Sequence, residues 1–333
     1  MSRKLLKQKY TILGISLSII FIYLAFREID IRALGIRLKT ADLTYVFLTF
    51  LPLSVSYIAR TFLWRRVISN FREVNFSNAF SALMIGFFAN NILLGRIGEF
   101  VRAYVLGNKE NLEKTFILGT IVIERLSDIF TLLLLLVLST FMFPIPIWAK
   151  HMVLTTVVVF LIILAVAYLV LLKRNPFLEK LENKLFFLSN PKRQFVITNL
   201  GSFISGLEIL KKPRFILTVF TLSLLIWLFV SISVFFTLKS VNINIPNYGV
   251  LFVLSAVSLG LIIPSSPGYL GTYQFLCVVA LSTFSVSKEA ALSFSIIHHV
   301  SWYLPSTLLG LVFLWKENLN LAKLRTIKEI GRG

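Results

Sequence analysis

The chain is short of charge and of cysteine, and each shortage excludes a class of protein. Only 15% of its 333 residues are charged, against roughly 25% in a typical soluble domain. The single cysteine, Cys277, lies in an apolar segment, so we expect neither a disulfide framework nor a cysteine-based metal site. Hydrophobic residues make up 57% of the chain, and 31 of them are phenylalanine. The composition predicts an all-α polytopic membrane protein.

The chain also lacks a hydrophilic segment long enough for a separate domain. The longest stretch between apolar regions, Lys173–Arg214, is shorter than the ~50 residues that an independent domain usually needs. We interpret it as a basic cytoplasmic loop within a single membrane domain, residues 1–333. Any activity must then be built from the membrane part.

Long apolar runs are what the sequence does have. A helix needs about 20 apolar residues to cross a bilayer, and six stretches come close to that length. We predict about six full spans, at Thr11–Phe26, Leu43–Trp64, Phe116–Phe143, Met152–Leu172, Phe215–Leu238 and Ala290–Trp315.

Lysine and arginine outnumber acidic residues by 34 to 15, which gives a net charge of +19. In a membrane protein such an excess collects in cytoplasmic loops, so it indicates orientation and not a nucleic-acid partner. The rule places both termini, Arg65–Asn75 and Lys173–Arg214 in the cytoplasm, and only the basic loop Arg27–Lys39 disagrees. We predict a multi-pass protein of the plasma (cell) membrane with cytoplasmic N- and C-termini and no nucleic-acid partner.

Two apolar stretches, Ala79–Val105 and Gly249–Phe284, are interrupted by glycine, proline or charge. With this orientation each must cross the membrane an even number of times, yet each is short for two full spans. We therefore predict two re-entrant helical hairpins, with tilted short spans as the alternative. Span, hairpin and span then occur twice with opposite topology, in residues 43–143 and 215–315. Transporters built from inverted repeats show this pattern, and their broken helices meet at the binding site.

Ionisable residues lie in the first hairpin and in the following span, where burial in a bilayer costs several kcal/mol unless the charges pair or face water. Two interpretations stay open. The residues form a structural ion-pair lattice, because their three positive and three negative charges cancel, or some of the arginines bind a substrate anion. The set consists of Arg96, Glu99, Arg102, Glu124, Arg125 and Asp128.

In the substrate interpretation Arg96 is the leading candidate, because it lies between two glycines that let a headgroup approach the backbone. Asn90 and Asn91 are polar enough to line a cavity there. Arg60 and Arg65, near the inner end of the second predicted span, are either interfacial anchors or an entry site for anionic headgroups.

The second hairpin contains the helix-breaking run from Pro264 to Gly268. The hydroxyls of Ser265 and Ser266 indicate either an anion or ion site or a simple turn. Neighbouring His298 and His299 point apart on a helix, so we expect polar contacts inside the bundle and no metal site. No metal cluster, activated nucleophile or nucleotide-binding loop is evident, so we expect no metal and no cofactor, and we lean against an enzyme.

The ordered motifs resemble those of a known family. They are Asn90-Asn91, Gly95-Arg96-Ile97-Gly98-Glu99 with Arg102, Glu124-Arg125 with Asp128, and Pro264 to Gly271, together with Arg60 and Arg65. This set is similar to the membrane region of lysylphosphatidylglycerol synthases, the flippase-like family, which also occurs in some archaeal dolichol-pathway glycosyltransferases. The resemblance covers the chain from about Lys9 to Trp315. Gln274 stands where the family often has an acidic residue.

The resemblance implies a lipid-handling membrane module. In the multiple peptide resistance factor this region is assigned to moving aminoacylated phosphatidylglycerol between leaflets. We accordingly expect a flippase-like protein that binds and translocates a phospholipid or a polyprenyl-phosphate-linked lipid, using the residues above with Gly268, Gly271 and Gln274. We expect no soluble aminoacyl-transfer or glycosyltransferase domain, so a separate lipid-modifying enzyme is a possible partner. The alternatives are a membrane enzyme or partner subunit in lipid aminoacylation or glycosylation, and a secondary transporter of small solutes.

Overall fold

The computed structural model describes residues 16, 19–27, 29–93, 97–142, 147–262 and 266–319, which form helices and turns with no β-strand among them. An all-α fold is thus confirmed. Residues 19–26 are helical ahead of the first complete helix. The complete helices are α1 (Ile31–Lys39), α2 (Leu43–Ile68), α3 (Phe76–Ile92), α4 (Gly98–Glu110), α5 (Lys114–Phe141), α6 (Ile147–Leu172), α7 (Arg174–Lys184), α8 (Asn190–Gly206), α9 (Pro213–Ser240), α10 (Asn247–Gly260), α11 (Thr272–Ser282) and α12 (Lys288–Lys316).

Within the described residues, four helices have the length and hydropathy to cross a membrane, namely α2, α9, α12 and the Val153–Leu172 part of α6. They correspond to four of the six predicted spans. A fifth, Phe116–Phe143, corresponds to the 28-residue α5, which is ~42 Å long but carries three ionisable side chains near its middle. The sixth, Thr11–Phe26, lies largely outside the described residues. The chain is a multi-pass membrane protein.

Residues 173–214, which the sequence analysis treats as a loop, are largely helical. They form α7, α8 and a 3-10 turn at Glu208–Lys211. Helix α8 packs directly on α5 where two glycines meet, since a Cβ added to Gly119 would lie 2.3 Å from the Phe203 carbonyl oxygen and 2.9 Å from the Gly206 Cα. The charge pattern alone gave no sign of this contact, because close helix crossings depend on small residues.

The two interrupted stretches form pairs of short helices, α3 with α4 and α10 with α11. Asn75 caps the start of α3, where its side chain accepts a hydrogen bond from the Ser77 amide at 2.8 Å. Between α3 and α4, Asn90 Oδ1 accepts a hydrogen bond from the Gly98 amide at 2.8 Å. The Asn90 side chain therefore provides an acceptor for the first backbone N–H of α4 and links the end of α3 to the start of α4.

Helices α2 and α9 pack side by side. The pair α3–α4 packs against α12 and α5, and the pair α10–α11 packs against α5 and α12. Buried apolar side chains form one cluster around α3 and α4, a second among α9 to α12, and a third where α8 and α9 meet α2 and α5. Polar residues far apart in the sequence also contact one another, since Asn91 of α3 donates a hydrogen bond to the Ser306 hydroxyl of α12 at 3.1 Å.

Candidate functional site

Glu124 of α5 is the centre of a buried charge cluster. Its side chain is fully enclosed and accepts hydrogen bonds from three guanidinium groups. Arg102 Nη2 of α4 lies 2.7 Å from Glu124 Oε2, while Arg60 Nη1 of α2 and Arg125 Nη2 lie 3.1 and 2.8 Å from Oε1. One carboxylate therefore joins three helices, and charge-assisted bonds of this kind are roughly twice as strong as neutral ones.

Asp128, one turn further along α5, connects this cluster to the second half of the chain. Its Oδ2 lies 2.7 Å from Arg60 Nη1 and 3.3 Å from Arg125 Nη1. Its Oδ1 accepts hydrogen bonds from the Trp227 indole N–H of α9 at 2.9 Å and from the Ser223 hydroxyl at 3.4 Å. Both oxygens of the Asp128 carboxylate thus have polar partners, which is what burial of a carboxylate requires.

Small and aromatic residues make room for Arg102. A Cβ added to Gly86 of α3 would lie 2.3 Å from the Arg102 Cγ, so only glycine lets this side chain pass between α3 and α5. The guanidinium lies over the Trp64 ring, 4.1 Å from its centre. This stacking is a favourable cation–π arrangement, and it fixes the plane in which Arg102 meets Glu124.

A cavity of about 450 Å³ lies beside the cluster, between the two halves of the chain. Four of its lining residues carry charge: Arg60, Glu99, Arg125 and Asp128. Arg60 and Arg125 both contact Asp128, so three of the four charges lie in one part of the wall. The wall formed by α9 and α10 is mostly apolar, with lining residues Val230, Val234, Val253, Leu254 and Val257.

The three arginines differ in their access to this cavity. The Arg125 side chain is 39% exposed, whereas those of Arg60 and Arg102 are 9% and 2% exposed. Arg102 and Glu124 do not line the cavity. The cluster therefore contains an enclosed part, which corresponds to the ion-pair lattice of the sequence analysis, and an open part with Arg125 at its edge.

The turn between α10 and α11 is fastened by a ring of hydrogen bonds. His299 Nε2 donates to the Gly268 carbonyl at 2.8 Å, and His299 Nδ1 accepts from Gln274 Nε2 at 2.8 Å. Gln274 Oε1 accepts from the Gly271 amide at 2.8 Å, which closes the ring. Because a carbonyl only accepts and an amide nitrogen only donates, the bonds define one neutral tautomer of His299. The expectation of polar contacts for the histidines is confirmed.

Gly268 also brings this turn against the first helix pair. Its φ of +62° favours glycine, and an added Cβ would lie 2.5 Å from the Tyr303 ring and 3.3 Å from the Asn91 carbonyl oxygen. Asn91 itself donates to the Thr307 hydroxyl of α12 at 2.8 Å. The ends of the two helix pairs therefore meet at one place.

The predicted site residues that the structure describes fall into three groups. The cavity wall includes Asn90, Asn91, Glu99, Arg60, Arg125 and Asp128; the buried supports are Arg102, Glu124, Gly268, Gly271 and Gln274. Arg65 lies elsewhere, at the last turn of α2, and the Ser266 hydroxyl donates to the Leu270 carbonyl at 2.9 Å. The leading candidate Arg96, and Ser265, lie outside the described residues.

Sequence reasoning missed several lining residues, among them Trp227, Tyr273, His298 and Trp302. Trp227 did carry a signal, because it lies in the middle of an apolar span and not at an end, where an interfacial tryptophan belongs. A tryptophan at that depth needs a partner for its indole N–H. No arrangement of three or more histidine, cysteine or acidic side chains suited to a metal ion occurs in the described part of the chain.

Comparison with known proteins shows that this chain is similar to membrane proteins. UPF0104 membrane protein MJ1078 of Methanocaldococcus jannaschii is 25% identical over 241 residues, covering 71% of this chain and 97% of that protein. UPF0104 membrane protein MJ1595 of the same organism is 23% identical over 317 residues, covering 91% and 94%. The family model of the lysylphosphatidylglycerol synthase TM region matches residues 11–310, which include both helix pairs and the whole charge cluster. The chain belongs to the family of the lysylphosphatidylglycerol synthase TM region.

Proposed function

We propose that this protein binds a lipid headgroup in the cavity beside Arg125 and moves the lipid between leaflets. The observation that carries the proposal is the two-sided cavity, with charge concentrated around Arg125 and Asp128 and an apolar wall on α9 and α10. A phospholipid or polyprenyl-phosphate lipid has the same division between a charged headgroup and apolar chains. Membership of the family of the lysylphosphatidylglycerol synthase TM region also supports a lipid-handling role.

Arg125 is the residue that would contact the headgroup. Guanidinium groups suit phosphate because their planar fork binds two oxygens and stays charged when buried. Arg125 combines 39% exposure with ion pairs to Glu124 and Asp128, which hold the fork in place without enclosing it. A preorganised cation at a cavity wall loses little freedom when it binds.

We infer that the two halves form an inverted repeat, in which α2 to α5 correspond to α9 to α12. The packing supports this, because α3 packs on α12 as α10 packs on α5, while α2 and α9 form the central pair. In this arrangement the helix pairs are re-entrant hairpins and both termini are cytoplasmic. Rocking of one half against the other would then expose the cavity to each side in turn.

The test is lipid exchange in liposomes that contain the purified protein. Fluorescent phosphatidylglycerol in the inner leaflet is protected from a reductant until it is moved outward. We expect Arg125→Lys, which keeps the charge but loses the fork, to slow exchange at least about tenfold. Arg193→Lys on the surface of α8 is the matched control and should match the parent.

Equal exchange by parent and Arg125→Lys, with both folded, would reject the assignment of Arg125. The competing functions make different predictions. A solute transporter would accelerate uptake of a water-soluble anion without lipid exchange. A membrane enzyme, or a subunit that works with a separate lipid-modifying enzyme, would form a labelled lipid product from aminoacyl-tRNA or a nucleotide sugar.

A further inference from the structure

A second hollow, of about 210 Å³, lies at the last turn of α2. It shares no lining residue with the cavity beside Arg125. Its wall combines two adjacent arginines with one phenylalanine and one carboxylate. The lining residues are Phe62, Arg65, Arg66, Ser69, Glu73 and Val74.

The Arg65 guanidinium is held in a fixed position. Its Nε donates a hydrogen bond to the Val74 carbonyl at 2.8 Å, and its plane lies near the Phe76 ring, 5.8 Å from the centre. Because Nε is used, the position of the two Nη groups is set before a ligand arrives. Such a fork matches two oxygens of a phosphate group.

Positive charge at the hollow exceeds negative charge. Arg66 lies over the Phe215 ring at 4.4 Å, and Lys212 of the same corner lies 5.8 Å from that ring centre. Glu73, which also lines the hollow, forms no ion pair with either arginine among the described residues. Two guanidiniums on one hollow therefore lack the carboxylate partners that the arginines of the cavity have.

An apolar stripe leads along α2 to this hollow. Phe47, Leu51, Ile58 and Phe62 are 71, 66, 45 and 49% exposed and recur at about one helical turn or two, with exposed Arg66 one turn after Phe62. In a span of a multi-pass membrane protein, such a face contacts acyl chains. The hollow thus lies where a chain along this stripe would place its headgroup.

We propose that this hollow binds the phosphate of an anionic membrane lipid, with Arg65 and Arg66 as its ligands and the stripe from Phe47 to Phe62 as the acyl-chain contact. The proposal does not depend on lipid translocation, since the hollow and the cavity share no wall. A free phosphate offers the same oxygens without the chains, so the two sources differ in their need for the stripe.

The experiment measures binding of short-chain phosphatidylglycerol to the full chain in detergent, with phosphatidylcholine and inorganic phosphate as separate arms. We expect Arg65→Gln and Arg66→Gln each to weaken phosphatidylglycerol binding by about tenfold. The control is Arg72→Gln, an equally charged change in the following turn that does not line the hollow. Inorganic phosphate at the same concentration should not compete.

Because Arg66 is exposed, we expect Arg66→Gln to fold. If Arg65→Gln does not fold, Arg65→Lys, which keeps the positive charge, replaces it. Unchanged binding in both Arg66→Gln and Arg65→Lys would show that these arginines are only interfacial anchors and would overturn the proposal. An equal loss in Arg72→Gln, or equal affinity for phosphatidylcholine, would also overturn it. So would competition by inorganic phosphate, because the acyl stripe would then have no role. A loss in Arg125→Lys alone would place the bound lipid in the cavity instead.

Discussion

Glu124 is a single residue that links three helices of this protein through its carboxylate. It faces guanidinium groups from α2, α4 and its own helix, and its side chain has no exposure. Removing one partner of a buried ion pair leaves the other charges without compensation, which costs far more than the pair itself contributes. Glu124 therefore supports the position of Arg125, and it is not part of the cavity wall.

Replacing Glu124 with glutamine tests this role. The change keeps the shape but leaves three guanidiniums around a neutral amide, so we expect the free energy of unfolding to fall by about 3–5 kcal/mol. Denaturant titration in detergent micelles measures it. Glu182→Gln, at a surface contact with Gln194 at 3.0 Å, should change stability by less than about 1 kcal/mol. Similar small losses for both variants would contradict the supporting role.

For individual residues, the sequence predicted ion pairs between near neighbours on one helix but not ion pairs between distant positions. Arg125 and Asp128 are three residues apart on one helix, and their ion pair at 3.3 Å follows from helical geometry. The partnership of Arg60 with Glu124 joins residues 64 positions apart. No helical period encodes such a contact, so the sequence left Arg60 as either an interfacial anchor or an entry site for headgroups, although it is only 8% exposed.

Among the elements, the helix pair α3–α4 depends on close backbone contact. A Cβ added to Gly98 would lie 2.2 Å from the Gly86 carbonyl oxygen and 2.6 Å from the Asn90 side chain. Small residues at helix contacts let backbones approach within a membrane, where packing drives association. Close packing therefore accounts for both Gly86 and Gly98.

Gly98→Ala should force α3 and α4 apart. We expect a loss of about 1–3 kcal/mol, because overpacking outweighs the better helix propensity of alanine. Gly35 of α1 is the matched control, since an added Cβ there meets nothing within 4 Å. Gly35→Ala should raise stability slightly, by up to about 1 kcal/mol. Thermal unfolding of both variants gives the answer, and a stabilising Gly98→Ala would contradict the contact.

Helical elements were easier to predict than their surroundings. Apolar length alone located α2, α9 and α12, and interruptions by glycine and proline located both short helix pairs. Helices α7 and α8 were not predicted, because the charges of this basic segment indicate a loop. Helix α8 contacts α5 through Gly206 and Gly119, which are far apart in the chain. Tertiary packing, and not local propensity, decides such segments.

For the whole molecule, the proposed orientation can be tested because its one cysteine is buried. Cysteines introduced at Ser189, between α7 and α8, and at Asn244, between α9 and α10, lie in exposed turns. With cytoplasmic termini, we expect an impermeant maleimide added to intact cells to label Asn244→Cys and not Ser189→Cys. Permeabilised cells should label both. The reverse result in intact cells would invert the orientation.

The charge cluster also constrains the order in which this chain enters a membrane. Helix α5 carries Glu124, Arg125 and Asp128 near its middle, and each such residue costs about 2.5–3.5 kcal/mol when a helix is inserted alone. Its partners Arg60 and Arg102 are synthesised before it, so both are already present when α5 emerges. Trp227 follows about a hundred residues later. The charges of α5 can thus pair within the first half of the chain before the second half is synthesised. The second half then packs against a charge cluster that has already formed.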